Sequence, residues 1–99
     1  MPERREREPM EEGGVRFFAR PEVAQGTYSN FAVIRHSPEE FQIDFFVRDL
    51  DGAHHLVARI LTNPYHMKRL VKALTENLRK YEEKFGGIAE KGLKNLVEL

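Results

Sequence analysis

The 99-residue chain contains no cysteine. That excludes a disulfide framework, a thiol nucleophile, a paired-cysteine redox centre and any zinc site built on thiolates. It has no tryptophan either, and no apolar run approaches the roughly 18 residues that a membrane-spanning helix needs. Excess charge of one sign is also missing, since sixteen Lys and Arg balance sixteen Asp and Glu. A strongly basic nucleic-acid binder and an acidic tail protein are thereby disfavoured, and only local patches stay open. The opening residues, Pro2 to Pro9, lack the apolar core of a signal peptide. No phosphate-cradling glycine loop, nucleophile elbow or pair of catalytic carboxylates occurs. The expectation is a small cytoplasmic domain that is not an enzyme and holds no cofactor and no metal.

What is present begins with a charged stretch. Residues 1–14 hold five Glu, three Arg, two Pro and two Gly, with Met10 the one large apolar side chain after the initiator. Such a composition buries too little surface to offset its ordering entropy, so a disordered charged arm is expected there. A single domain is expected over 15–88. Val15 to Arg20 reads as a short strand stopped by Pro21. Runs at 28–36, 41–48 and 54–62 read as three longer strands, separated by Ser37-Pro38-Glu39-Glu40 and by a hairpin loop at Asp49-Leu50-Asp51-Gly52.

One long helix follows. Asn63 is a favourable N-cap and Pro64 sits at the first helical position, where its missing N–H costs nothing. Met67, Leu70, Val71, Leu74, Leu78, Tyr81 and Phe85 recur at spacings of three and four, a stripe that serves as core or as a coiled seam. Gly86-Gly87 ends the helix. The tail over 89–99, with Leu93, Leu96, Val97 and Leu99, is a candidate second helix.

The strands are apolar on both faces. In the third run Phe41, Ile43, Phe45 and Val47 share one side, and Gln42, Asp44, Phe46 and Arg48 the other. In the fourth, strict alternation puts Leu56, Ala58 and Ile60 against Val57, Arg59 and Leu61. One helix covers one face, and a soluble monomer seldom exposes the patch that remains. A homo-oligomer, dimer or tetramer, is therefore expected, the alternative being that residues 15–20 and the tail fold over that face in the monomer. Phe31, Val33, Phe46, Val57 and Leu61 form its candidate apolar face, with Tyr81 and Phe85 reaching toward a second subunit.

Other side chains invite chemistry. Four histidines are present, but His54 and His55 are adjacent and point to opposite faces of a strand. Asp44 is the one carboxylate inside a strongly patterned strand, where Arg35 or Arg59 from a neighbour can pair with it across the sheet. Residues 64–85 carry six Lys and Arg against three Glu. Lys68, Arg69, Lys72 and Arg79 are the residues that would contact phosphate if the protein were nucleic-acid-associated, the alternative to a protein-binding role.

The blocks Tyr28-Ser29-Asn30-Phe31, His36-Ser37-Pro38-Glu39-Glu40-Phe41, Ile43-Asp44-Phe45 and Arg59-Ile60 resemble successive pieces of one short bacterial and archaeal family. Thr62-Asn63-Pro64, Lys68-Arg69-Leu70, Leu74, Asn77-Leu78 and Tyr81-Glu82-Glu83-Lys84-Phe85-Gly86-Gly87-Ile88 extend the resemblance through residue 88. The family is DUF3467, a set of domains of unknown function, and the resemblance implies no activity and no functional residues. More distantly, antiparallel strands closed by one long helix resemble the export chaperone SecB, which implies assembly and an apolar groove for protein clients. The expected architecture is α+β: an antiparallel meander sheet of three to four strands backed by one long C-terminal helix, SecB-like in outline. The expected function is a non-enzymatic protein-binding or scaffold module, chaperone-like through an apolar sheet face.

Overall fold

Three consecutive antiparallel strands carry the domain in a computed structural model that describes residues 8–89 and 97–98. They are β3 (Phe31–His36), β4 (Phe41–Arg48) and β5 (His54–Thr62), with β4 in the centre. β-branched and aromatic residues fill most of β4, half of β3 and a third of β5, as suits a pleated, half-buried surface. Ahead of them come β1 (Glu8–Glu12), β2 (Val15–Ala19) and a single helical turn, α1 (Pro21–Ala24). After them come the long helix α2 (Pro64–Phe85) and a two-residue strand, β6 (Val97–Glu98).

Local chemistry fixes each connection. The Ser29 hydroxyl reaches the Phe46 carbonyl at 2.9 Å, and Asn30 Oδ1 accepts the Arg48 N–H at 2.8 Å, so the start of β3 is clamped to the end of β4. Between β3 and β4 the Ser37 N–H donates to the Glu40 carbonyl at 2.9 Å. Asp49 organises the β4–β5 loop: its Oδ1 accepts the N–H groups of Asp51 and Ala53 at 2.9 and 3.0 Å, and its Oδ2 meets His55 Nε2 at 2.9 Å. Gly52 supplies the positive φ of 88° that this loop needs.

Helix α2 spans 22 residues, and Asn63 Oδ1 accepts the His66 N–H at 2.8 Å, the N-cap bond expected from the sequence. Gly86 ends it at φ 94°. Burial fades quickly along its length. Met67 is buried and Leu70 half-buried, but from Val71 onward every apolar side chain of the helix is exposed. The first two turns hold it to the body of the domain, and the described residues leave the remainder uncovered.

Two segments differ from expectation. Glu8–Glu12, expected within a disordered arm, is a strand paired antiparallel with Val15–Ala19. Gly13 and Gly14, at φ 57° and 79°, supply the two positive dihedrals of a two-residue hairpin turn, which outweighs the poor composition. Residues 1–7 lie outside the described residues. The tail, a candidate helix, instead provides Val97 and Glu98 as a strand parallel to β3, opposite Val33 and Ile34, while 90–96 and 99 lie outside the described residues. The fourth place in the main sheet therefore belongs to the tail, in the order β5-β4-β3-β6, and Val15–Ala19 sits in a separate two-stranded sheet. The extended run expected from residue 28 begins as a strand at Phe31.

Candidate binding surface

Cross-strand register sorts the main sheet into two faces. Phe31 opposes Phe46, Val33 opposes Asp44, and Arg35 opposes Gln42. On the other side of β4, Asp44 opposes Arg59 and Gln42 opposes Leu61. Residues directly opposite share a face, so these side chains form one surface. The opposite surface gathers Ala32, Ile34, Phe41, Ile43, Phe45, Val47, Ala58 and Ile60. Ile43 is buried there, while Ile34 and Ile60 stay exposed.

The first surface is built around a carboxylate. Asp44 is 2% exposed. Arg59 Nε donates to Oδ1 at 2.7 Å and Arg59 Nη2 to Oδ2 at 3.1 Å, a two-pronged grip, and Gln42 Nε2 adds a third bond to Oδ2 at 3.0 Å. The Arg59 hydrogen bond is the chief reason that the Asp44 carboxyl lies below its ordinary range, with burial opposing it and Gln42 and the charge of Arg35 assisting. The same contact raises the Arg59 guanidinium further. Asp44 thus stays ionised and its oxygens are occupied, which suits it to fixing register rather than to moving protons.

Around this pair the candidate apolar residues divide. Phe31 and Phe46 touch edge to face at 6.1 Å between ring centres, and the His54 ring lies 4.4 Å from Phe31. Val33 is buried in the same row as Asp44. Leu61 is exposed but stands opposite Gln42, four residues along β4 from Phe46, or about 13 Å at the usual rise per residue. The Asp44–Arg59 row separates it from the aromatic cluster. Val57 is the extra residue of a β-bulge between the Phe45 and Phe46 positions. That bulge brings Leu56 opposite Phe46, onto the face where strict alternation does not place it. Leu56 is therefore a surface residue that sequence reading missed, since a one-residue bulge leaves no mark in the pattern.

The helix contributes a second uncovered surface. Tyr81 and Phe85, 5.0 Å apart between ring centres, are both exposed. Val71, Leu74 and Leu78, read from the sequence as core or as a coiled seam, are exposed with them. On the polar side, Lys68, Arg69 and Lys72 are exposed, whereas Arg79 binds both oxygens of Glu83 at 2.6 and 3.0 Å and reaches Glu76 at 3.5 Å. The four cations named from the sequence thus do not act alike, because Arg79 is neutralised within its own helix.

Among the described residues no group of three or more His, Asp and Glu side chains converges in a way that would hold a metal ion. His36 packs beside Phe41, His55 serves the Asp49 loop, and the backbone of His66 completes the helix cap. A shallow hollow of 180 Å³ lies among Arg35, His36, Ser37, Glu40 and Gln42 at the β3–β4 turn. None of the described helices is long and apolar enough to cross a membrane.

A family model described as Protein of unknown function (DUF3467) matches residues 1–90, and the chain belongs to that family. No curated protein and no solved structure matches it.

Proposed function

We propose that this DUF3467 chain is a non-enzymatic protein-binding or scaffold module that self-associates and offers an apolar sheet face to protein clients, as a chaperone does. One observation carries the reading. Among the described residues three apolar side chains are buried, Val33, Ile43 and Met67, while eighteen large apolar or aromatic ones are exposed. Surface of that extent on a small soluble domain is the mark of a partner. Phe31, Phe46 and Leu56 form the part best suited to apolar side chains of an extended polypeptide, with His54 at the rim. The sheet of antiparallel strands followed by one long helix is in keeping with a SecB-like outline, and the cytoplasm is the compartment in which such a module would meet unfolded chains.

The test is anisotropy of a labelled, permanently unfolded polypeptide, such as a reduced and carboxymethylated secretory protein, titrated with the chain. Binding should survive about 0.5 M salt, because burial of apolar area is not screened as charge contacts are. Phe46→Glu should weaken it about tenfold or more, since a charge is then placed in the contact. Equal binding by the variant, or no binding by the parent, overturns the reading. Retention on DNA through Lys68, Arg69 and Lys72, lost steeply as salt rises, would restore the nucleic-acid alternative.

A further inference from the structure

The uncovered part of α2 has a regularity that simple amphipathicity does not require. Val71, Leu74, Leu78, Tyr81 and Phe85 follow one another at spacings of 3, 4, 3 and 4, continuing the step of four from the buried Met67. That is an unbroken heptad seam, in which every apolar residue falls at one of the two positions that face a partner helix. A helix resting on its own sheet uses a wider stripe with a third apolar position in each repeat. Here Leu70 alone adds such a residue, and it belongs to the half-buried end. The seam is open where it is most regular: Leu74 is 60% exposed and Phe85 65%.

We propose that this seam is filled by the same helix of a second copy of the chain, running antiparallel about a two-fold axis beside Thr75 and Asn77. The proposal rests on the self-association in the reading above, and assigns it a surface, an orientation and a register. The flanking residues choose the direction. Lys68, Thr75 and Glu82 line one side of the seam, and Leu70, Asn77 and Lys84 line the other. In an antiparallel pair each side meets its own counterpart. Lys68 then faces Glu82 of the second copy, and by symmetry Glu82 faces Lys68. Thr75 meets Thr75, Asn77 meets Asn77, and Leu70 lies along the methylene stem of Lys84. Leu74 packs on Leu78 and Val71 on Tyr81, while Met67 stays buried in its own domain and Phe85 closes the end of the seam. A parallel pair would set Leu70 against Thr75 and Asn77 against Glu82, with no cation opposite an anion.

The residues also leave these flanking charges available. Glu82 accepts the Ile88 N–H with Oε2 at 3.0 Å, which keeps its other oxygen for a cation. Arg79, already bound to Glu83, lies away from the seam. The open seam from Val71 to Phe85 is about 21 Å long, short for a free-standing coiled coil. But α2 is capped by Asn63 and anchored at Met67, so pairing does not have to meet the cost of forming the helix.

The experiment is sedimentation equilibrium of the full chain, with helicity followed by circular dichroism. The parent should run at twice 11.6 kDa or a multiple of it. Leu78→Asp should run as a helical monomer. Lys68→Glu and Glu82→Lys should each weaken association by about threefold to tenfold at low salt, since two like-charge pairs replace two opposite ones. The double variant Lys68→Glu with Glu82→Lys should return to within about twofold of the parent. Failure of the double variant to recover overturns the antiparallel register. Association that survives Leu78→Asp but is lost in Phe46→Glu overturns the helix seam and leaves sheet-mediated association standing. A monomeric parent at all concentrations overturns both.

Discussion

Arg59 on β5 grips both carboxylate oxygens of Asp44 directly across the β4–β5 ladder, at 2.7 and 3.1 Å. The pair is asymmetric, because Asp44 is buried while the Arg59 side chain remains half in water. Removing the arginine therefore leaves a buried carboxylate without its cation, whereas removing the carboxylate leaves a guanidinium that water can solvate. Arg59→Ala should lower the thermal midpoint more than Asp44→Asn does. Paired melting curves check the order, and the reverse ranking would overturn this asymmetry.

The same contact sets a pH dependence. The Asp44 carboxyl titrates below its ordinary value in the folded chain, first because of Arg59, so the unfolded chain binds its proton more readily. Asp49 is lowered in the same direction, chiefly by His55 and then by the loop N–H groups. The stabilisation from each is present above the unfolded carboxylate value of about 3.9 and is lost as pH falls through the lower folded value. Acid unfolding should thus lie below the ordinary carboxylate range and move upward in Arg59→Met. Circular dichroism against pH at fixed ionic strength measures the shift.

The helix cap is a separable test. Asn63→Ala deletes the acceptor for the His66 N–H and should cost about 1 kcal/mol, while Asn63→Asp should retain most of it. Urea midpoints at constant slope distinguish the two.

Ile43→Ala probes the small core. The side chain is 6% exposed in the central strand, so its removal should cost about 2–5 kcal/mol, a large share of the stability of a domain this size. If the chain pairs as proposed above, part of the loss should be recovered by mass action, visible as a melting point that rises with protein concentration.

Which parts of this were legible in the sequence follows from the range of the interactions. Helix α2 was readable to its ends, because its signals are local: Asn63 and Pro64 at one end, Gly86 at the other. Strands β4 and β5 were equally readable from alternation and from the Asp49–Gly52 loop. The pairing of Asp44 with an arginine across the sheet was foreseeable in kind, and only the register chose Arg59 over Arg35. Long-range features were not legible. The Val97–Glu98 pairing with β3 joins segments more than sixty residues apart. The Glu8–Glu12 strand depends on a template that a composition argument ignores. The position of Leu56 depends on a bulge that alternation cannot register.

That bulge also bears on how the protein avoids uncontrolled growth. Among the described residues β5 forms one border of the main sheet, nine residues long, with a row of backbone donors and acceptors turned outward. An uninterrupted border of that length would template a further strand, then another. Val57 breaks it into two short stretches whose outward hydrogen-bonding directions are twisted relative to each other. An incoming strand aligned with His54–Leu56 is out of step by Ala58, so the border resists propagation into fibres while the broad apolar surfaces beside it stay open.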